Sequence, residues 1–224
     1  MTAALSPWHK FMESRLNSAV NIGILAVLGV LLFSPAGPAG TRIDRWLQAR
    51  KSRSQAEKLW PQLIAASSAL GPTMDQPRFV VEFIDYQCPS CASIADRLEA
   101  AAERTGTRVI IRHFPLPGHA FATAAAKMAI CAENEAFQEI HHALLAVDWN
   151  RLTSQPDWRM LAEEAGVSDL DRLEACLDSD ATKQRLALDR GFAEILNVRG
   201  TPTFVSQLGV FFGSGQMERI LGVE

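Results

Sequence analysis

Cys88-Pro89-Ser90-Cys91 stands where a strand-like run gives way to a helix-like one, and that junction constrains the fold more than any other feature. Before it, Arg78–Tyr86 (RFVVEFIDY) is a β-branched and aromatic run of strand length. After it, Cys91–Arg104 carries Ile94, Leu98 and Ala101 or Ala102 at spacings of three and four, the period of a helix with one buried face. Arg108–Phe114 (RVIIRHF) reads as a second buried strand, completing a βαβ unit. Near the end, Thr203–Gln207 and Gly209–Phe212 read as a closing hairpin, followed by a short helix at Gln216–Leu221. The class expected is α/β with a mixed sheet.

Between the second strand and the hairpin the pattern is helical throughout. His119–Val147 is Ala-rich, with Phe137, Ile140 and Leu144 on one stripe; Trp158–Ala165 is a short helix ending at Gly166. Ser168 is placed to cap Asp169–Leu177, with Asp171 completing a capping box, and Ala181–Leu196 ends at Asn197. This block is too long for a simple crossover and reads as an inserted helical subdomain.

The cysteine spacing has a chemical purpose. The first sulfur of a Cys-x-x-Cys at a helix start lies near unpaired N–H groups and the positive end of the dipole, which favour a thiolate. Pro89 suits the first helical position, where its missing N–H is not needed. The second sulfur lies one turn deeper and is placed to attack a mixed disulfide. A zinc site would need two more ligands at short spacing, and Cys131 and Cys176 stand too isolated to supply them. His113, His119, His141 and His142 do not make a metal set either: the adjacent His141 and His142 point to different sides of a helix, one inward and one to solvent. Neither metal nor cofactor is expected. A formal net charge of −3, from 22 Lys and Arg against 25 Asp and Glu, argues against nucleic acid as a partner. With 48% hydrophobic residues the chain is no disordered tail, and four cysteines are too few for a disulfide scaffold.

EFIDYQCPSC (Glu82 is the first acid of that run, Cys88 and Cys91 its cysteines), RHFPL (Arg112–Leu116), the Ala-rich helix with Cys131-Ala132, and RGTPTFV (Arg199–Val205) together resemble the DsbA-like branch of the thioredoxin superfamily. The resemblance runs from about Phe79 to the C-terminus. It implies a thioredoxin fold with a helical insertion, and thiol–disulfide exchange with protein thiols or disulfides as the activity. Cys88 corresponds to the attacking cysteine, Cys91 to the resolving one, Pro202 to a cis-proline facing the pair, and Thr201 to the residue whose backbone pairs with an extended substrate. Glu82 corresponds to a buried acid that relays the resolving thiol's proton. The short final helix departs from the family pattern. Cys131 and Cys176 lie in helical, largely apolar surroundings, and some members of the family carry cysteines at matching places; a structural disulfide between them is expected, against the alternative of two buried free thiols.

Leu16–Phe33 is mostly apolar, and no charge falls between Arg15 and Arg42. As a helix it would span about 27 Å, close to a bilayer's hydrocarbon core. It reads as a membrane anchor, or else as a secretory signal cleaved near Ser34-Pro35-Ala36 or Gly37-Pro38-Ala39. Arg42, Arg45, Arg50, Lys51 and Arg53 outnumber Lys10 and Arg15 and favour a cytoplasmic C-terminal part, whereas the cysteine chemistry favours the envelope side; long following domains translocate largely regardless of charge. Arg42–Ala69 is expected to form one or two basic amphipathic helices interrupted at Pro61. The resulting division is a tail (1–15), an anchor or signal (16–33), a linker with juxtamembrane helix (34–75), and a thioredoxin-like domain (76–224) with its insertion at about 117–197.

The expected protein is a membrane-tethered or secreted oxidase facing the periplasm or cell exterior, recharged by a membrane redox partner. A reductase for cytochrome or metallocentre assembly, and a non-catalytic module that holds thiol-bearing partners, are the alternatives.

Overall fold

The computed structural model describes residues 22, 24, 25 and 28, and 38–222 apart from 66, 67, 74, 76, 134 and 135. Most of the apolar 16–33 segment, and so the anchor or signal expected there, lies outside these residues. Among the described residues no helix is long and apolar enough to cross a membrane. The chain divides into two compact units, Met1–Lys51 and Ser52–Glu224.

In the second unit a five-stranded mixed sheet has the order β1-β3-β2-β4-β5, formed by Ala69–Leu70 (β1), Arg78–Ile84 (β2), Thr107–His113 (β3), Thr203–Ser206 (β4) and Gly209–Phe212 (β5). β2 and β3 run parallel in register from Arg78 opposite Thr107 to Ile84 opposite His113, while the β1–β3, β2–β4 and β4–β5 pairs are antiparallel. β2 and β3 are central because both their faces are apolar, so each side chain finds a core on its own side. Val80 and Ile84 enter one cluster with Leu98, Ile111, Met128, Ile140 and Phe204. Val81 and Phe83 enter the other, with Ile110, Phe192, Leu196 and Val205.

The helices are Pro38–Ile64 (α1), Pro89–Ala92 (α2), Ala95–Thr105 (α3), Ala122–Cys131 (α4), Phe137–Ala146 (α5), Trp158–Glu164 (α6), Leu170–Leu177 (α7), Asp180–Ile195 (α8) and Met217–Leu221 (α9). Three departures from the sequence expectation have physical causes. The Ala-rich stretch is two helices, not one, because the chain turns after Cys131, where a covalent bond to Cys176 and an Arg185–Glu133 ion pair (3.3 Å) hold the turn. Asp169, not Ser168, caps α7 by accepting from the Arg172 N–H at 2.9 Å, and Asp171 instead pairs with Arg159 at 3.0 Å. Pro61 lies inside the last turn of α1 without interrupting it. The final carbonyls of that helix, of Gln62 and Leu63, accept from the buried Arg112 guanidinium, which closes the helix end from the core side.

Arg112 is 2% exposed and is neutralised by Asp189 on α8, 2.8 Å away; Asp189 also accepts from the His113 N–H at 2.9 Å and lies 3.5 Å from Arg185. Burial pushes the Asp189 carboxyl up, but the His113 hydrogen bond and its cationic neighbours win and hold it below its ordinary range. Asp189→Ala leaves the guanidinium buried without its counterion. Urea unfolding of that variant is expected to show a loss of about 3 kcal/mol. A loss under about 1 kcal/mol, the range of an exposed pair, would mean that water reaches Arg112.

Candidate active site

The site lies where β2 ends. The run FVVEFI carries the chain through the sheet, Asp85 turns it, and Cys88 becomes the N-cap residue of α2, with extended dihedrals (φ −82°, ψ 118°) and Pro89 at the first helical position. Cys88 caps with no side-chain bond, so its sulfur stays available. Cys88 is 7% exposed and Cys91 1%, and both are free thiols.

Three pieces of chain hold this turn. Asp85, itself buried, accepts from the Gln87 N–H at 2.8 Å in a local Asx turn. Its other oxygen takes the Leu116 N–H and lies against His119 Nδ1, each at 2.7 Å, which ties the loop after β3 to the cysteine turn. The Gln87 side chain accepts from the Phe121 N–H at 2.9 Å, just before α4. The third piece is the segment before β4: the Thr201–Pro202 peptide is cis, and in its thiol form Cys88 donates to the Thr201 carbonyl at 3.4 Å. Cys88, Cys91, Thr201 and Pro202 are thus brought together from chain segments more than a hundred residues apart.

Glu82 is 2% exposed. It shares a face of β2 with Val80 and Ile84, and stands in register with Ile111 and Phe204; all four belong to the cluster that holds both cysteines. A carboxyl in that environment resists ionisation. Burial first, then the charges of Glu99 and Cys88, push Glu82 up to about 8. The two sulfurs are driven apart. A hydrogen bond from Cys91 holds Cys88 down at about 5 against the effect of burial, helped by Thr201 and the backbone N–H groups of Cys91 and Ser90. The same shared proton, with burial and the Glu82 charge, pushes Cys91 far above an ordinary thiol. At neutral pH the site therefore holds one thiolate, one thiol and one protonated acid.

Two further polar pairs were not read from the sequence. Tyr86 Oη meets His141 Nδ1 at 3.1 Å in the core, and His142 Nε2 meets Glu99 at 2.7 Å near the surface. His141 is buried, with burial first and then the His142 and His113 charges lowering it to about 3, while His142 is 44% exposed at its side chain. Asp85 was missed as well. Its place directly after a strand and two residues before Gln87 is an Asx-turn signal, but its other partners lie 31 and 34 residues downstream.

Away from this site, Cys131 and Cys176 are joined by a disulfide that links the end of α4 to the end of α7. Thr182 Oγ1 sits beside both sulfurs, at 3.4 and 3.2 Å, and donates to the Cys176 carbonyl at 2.8 Å. Among the described residues no group of three His, Cys, Asp or Glu is placed to hold a metal.

Comparison with known proteins agrees with this geometry. A family model described as a DSBA-like thioredoxin domain matches residues 79–222. Among solved structures, BcfH of Salmonella enterica Typhimurium superposes with a TM-score of 0.66 over 97% of this chain and 98% of that one, at 20% identity. The thiol-disulfide exchange protein α-DsbA2 of Wolbachia pipientis superposes with a TM-score of 0.65 over 78% of this chain and 94% of that one, at 20% identity. The catalytic domain of Proteus mirabilis ScsC gives 0.63 over 76% and 96%, at 21% identity. These show the fold. In sequence, the chain is 36% identical over 134 residues to Na(+)/H(+) antiporter NhaA 3 of Salinispora tropica, covering 58% of this chain and 20% of that protein. Na(+)/H(+) antiporter NhaA 1 of Salinispora arenicola is 35% identical over a similar stretch. The chain spans about a fifth of the length of these curated relatives.

Proposed function

We propose, for a chain that belongs to the DSBA-like thioredoxin domain family and is a thiol–disulfide oxidoreductase of that kind, that it works as an oxidase of protein thiols on the outer side of a membrane. One observation carries the direction: the Cys88 thiolate is held at about 5 in the reduced site. A stabilised thiolate favours the reduced enzyme, which makes its disulfide an oxidant.

In this reading a substrate thiolate attacks Cys88 of the Cys88–Cys91 disulfide. The intramolecular S–S bond breaks, a mixed disulfide forms through Cys88, and Cys91 leaves. Cys91 cannot remain an anion in its buried place, so it takes the proton of Glu82. A second substrate thiolate then attacks the substrate sulfur of the mixed disulfide and releases Cys88 as a stable thiolate. The substrate is oxidised by two electrons and the cysteine pair reduced by two; of the two substrate protons, one is balanced on Cys91 through Glu82 and one goes to solvent. The backbone at Thr201, beside Cys88 and followed by Pro202, would receive the substrate as an extended strand.

The location rests on separate support. A second disulfide, Cys131–Cys176, suits an oxidising compartment, and Leu16–Phe33 has the composition of an anchor. Sequence kinship to part of two proteins named as antiporters fits a setting at a membrane, where a membrane redox partner would restore the Cys88–Cys91 disulfide.

Equilibration of the cysteine pair with glutathione tests the direction. The expected potential lies between about −120 and −200 mV; a value near −270 mV or below would make the protein a reductase. A reporter fused after Glu224 and active only outside the cytoplasm tests the location, and activity of a cytoplasm-only reporter would overturn it.

A further inference from the structure

The first half of α1 turns apolar side chains outward in a strongly basic stretch of the chain. Ile43, Trp46, Leu47 and Arg50 fall at i, i+3, i+4 and i+7, one face of the helix. Ile43 is 49% exposed, Trp46 57% and Leu47 50%, whereas Ala56 and Leu63, later in the same helix, are fully buried. Large apolar side chains gathered on one exposed face mark an interaction surface more often than scattered single ones do. Arg50 lies over the Trp46 ring, 5.4 Å from its centroid, and the exposed Arg42 and Lys51 border the stripe. Between Thr41 and Lys51 four cations, Arg42, Arg45, Arg50 and Lys51, stand against one acid, Asp44. Arg53, just beyond, is paired with Glu57 at 3.1 Å and adds little to that excess.

We propose that the first half of α1 lies along an anionic phospholipid surface, with Ile43, Trp46 and Leu47 at the boundary of headgroups and acyl chains and Arg42, Arg50 and Lys51 on the lipid phosphates. The proposal rests on the membrane setting proposed above. Tryptophan beside arginine is the pairing that an interface favours, because the ring sits at headgroup level while the guanidinium reaches the phosphates. The excess of cations complements an anionic surface, and it repels a second copy of the same helix. The stripe from Ile43 to Arg50 also covers only about one heptad, where a coiled-coil seam needs about three. Upstream in the same compact unit, Ile22, Ile24, Leu25 and Leu28 of the uncharged Leu16–Phe33 run are each at least 46% exposed, so outward apolar surface lies on both sides of Ser34–Gly40. A helix held in this way starts the chain that follows it at the membrane, where the redox partner would act, instead of on a free tether.

The test is amide hydrogen exchange, read by mass spectrometry, on the full chain with vesicles of phosphatidylcholine alone or with about one third phosphatidylglycerol. Amides of residues 42–51 are expected to exchange at least about fivefold more slowly on the anionic vesicles at about 0.05 M salt, and to lose that protection at about 0.5 M. Amides of β2 and β3 are the control and should not change. Arg50→Gln with Lys51→Gln should remove most of the protection, and Trp46→Ala should lower it about threefold. Neither variant should alter the rate at which the soluble thiol dithiothreitol is oxidised. Equal exchange on the two kinds of vesicle, or full protection in the Arg50→Gln, Lys51→Gln variant, overturns the proposal. Protection that ignores lipid charge and rises with the protein-to-lipid ratio overturns it too, and assigns the stripe to a second copy. Flotation after a wash in high salt reads the anchor separately. A chain that stays with the vesicles while residues 42–51 are unprotected keeps the anchor and loses this inference. A chain that floats only with anionic vesicles and is stripped by salt, with 42–51 protected, keeps this inference and loses the anchor.

Discussion

Replacing Cys88 with serine should abolish catalysed exchange, while replacing Cys91 with serine should turn the protein into a trap that accumulates mixed disulfides with its partners. The asymmetry follows from position. Cys88 caps a helix, keeps its sulfur free of side-chain capping duties and is held as a thiolate down to about 5. Cys91, 1% exposed and one turn deeper, is pushed the opposite way. With serine at position 91 the Cys88 thiolate still attacks a partner's disulfide and forms the mixed disulfide, but the Cys91 sulfur that would attack Cys88 and resolve it is gone. Non-reducing gels of the two reduced variants after exposure to an unfolded protein that carries disulfides would show it: ladders for Cys91→Ser and none for Cys88→Ser. Equal trapping by both variants would refute the assignment. In the wild type, the alkylation rate of Cys88 should be constant above its titration and fall as pH drops through about 5, because only the thiolate reacts.

The Cys131–Cys176 bond should carry the largest single share of stability outside the core. It spans a sequence separation of 45. Closing a loop of that length lowers the entropy of the unfolded chain by an amount worth about 4 kcal/mol. Cys131→Ala with Cys176→Ala is expected to shift the urea midpoint accordingly, while the potential of the Cys88–Cys91 pair changes little. Mild reduction followed by mass spectrometry should open Cys88–Cys91 first and leave Cys131–Cys176 closed. Alkylation of all four cysteines in freshly isolated, unreduced protein would remove the bridge, and with it one of the supports for an oxidising location.

What could be read without coordinates was what local pattern encodes. β2 and β3 are runs of Val, Ile and Phe with no alternation, and such runs sit in the middle of a sheet. The cysteine turn, with proline at the first helical position, announces a strand-to-helix junction. Glu82 and the Thr201–Pro202 step were reachable only through family resemblance, since nothing near them in sequence points to Cys88. What stayed hidden depends on distant partners or on differences of one residue. β1 has two residues, too few for any period. Asp169 and Ser168 are both competent caps, and packing chose between them. The stretch from Ala122 to Ala146 is helix-prone throughout, so its division follows from the bonds that hold the turn after Cys131. Glu99 meets His142 across 43 residues, an encounter that neither segment signals on its own.

The grip of Arg112 on the end of α1 bears on where this domain can be cut. An excised fragment starting at residue 76, where the sequence pattern changes period, would omit Gln62 and Leu63, whose carbonyls accept from the guanidinium. It would also strip Ala56 and Leu63, which together with Phe192 cover the sheet face that carries Val81 and Phe83. The recombinant piece would carry every cysteine and the whole sheet except β1, and still bare a cation beside an apolar wound. A workable excision keeps the second half of α1, which makes that helix a plug for the sheet rather than a spacer before it.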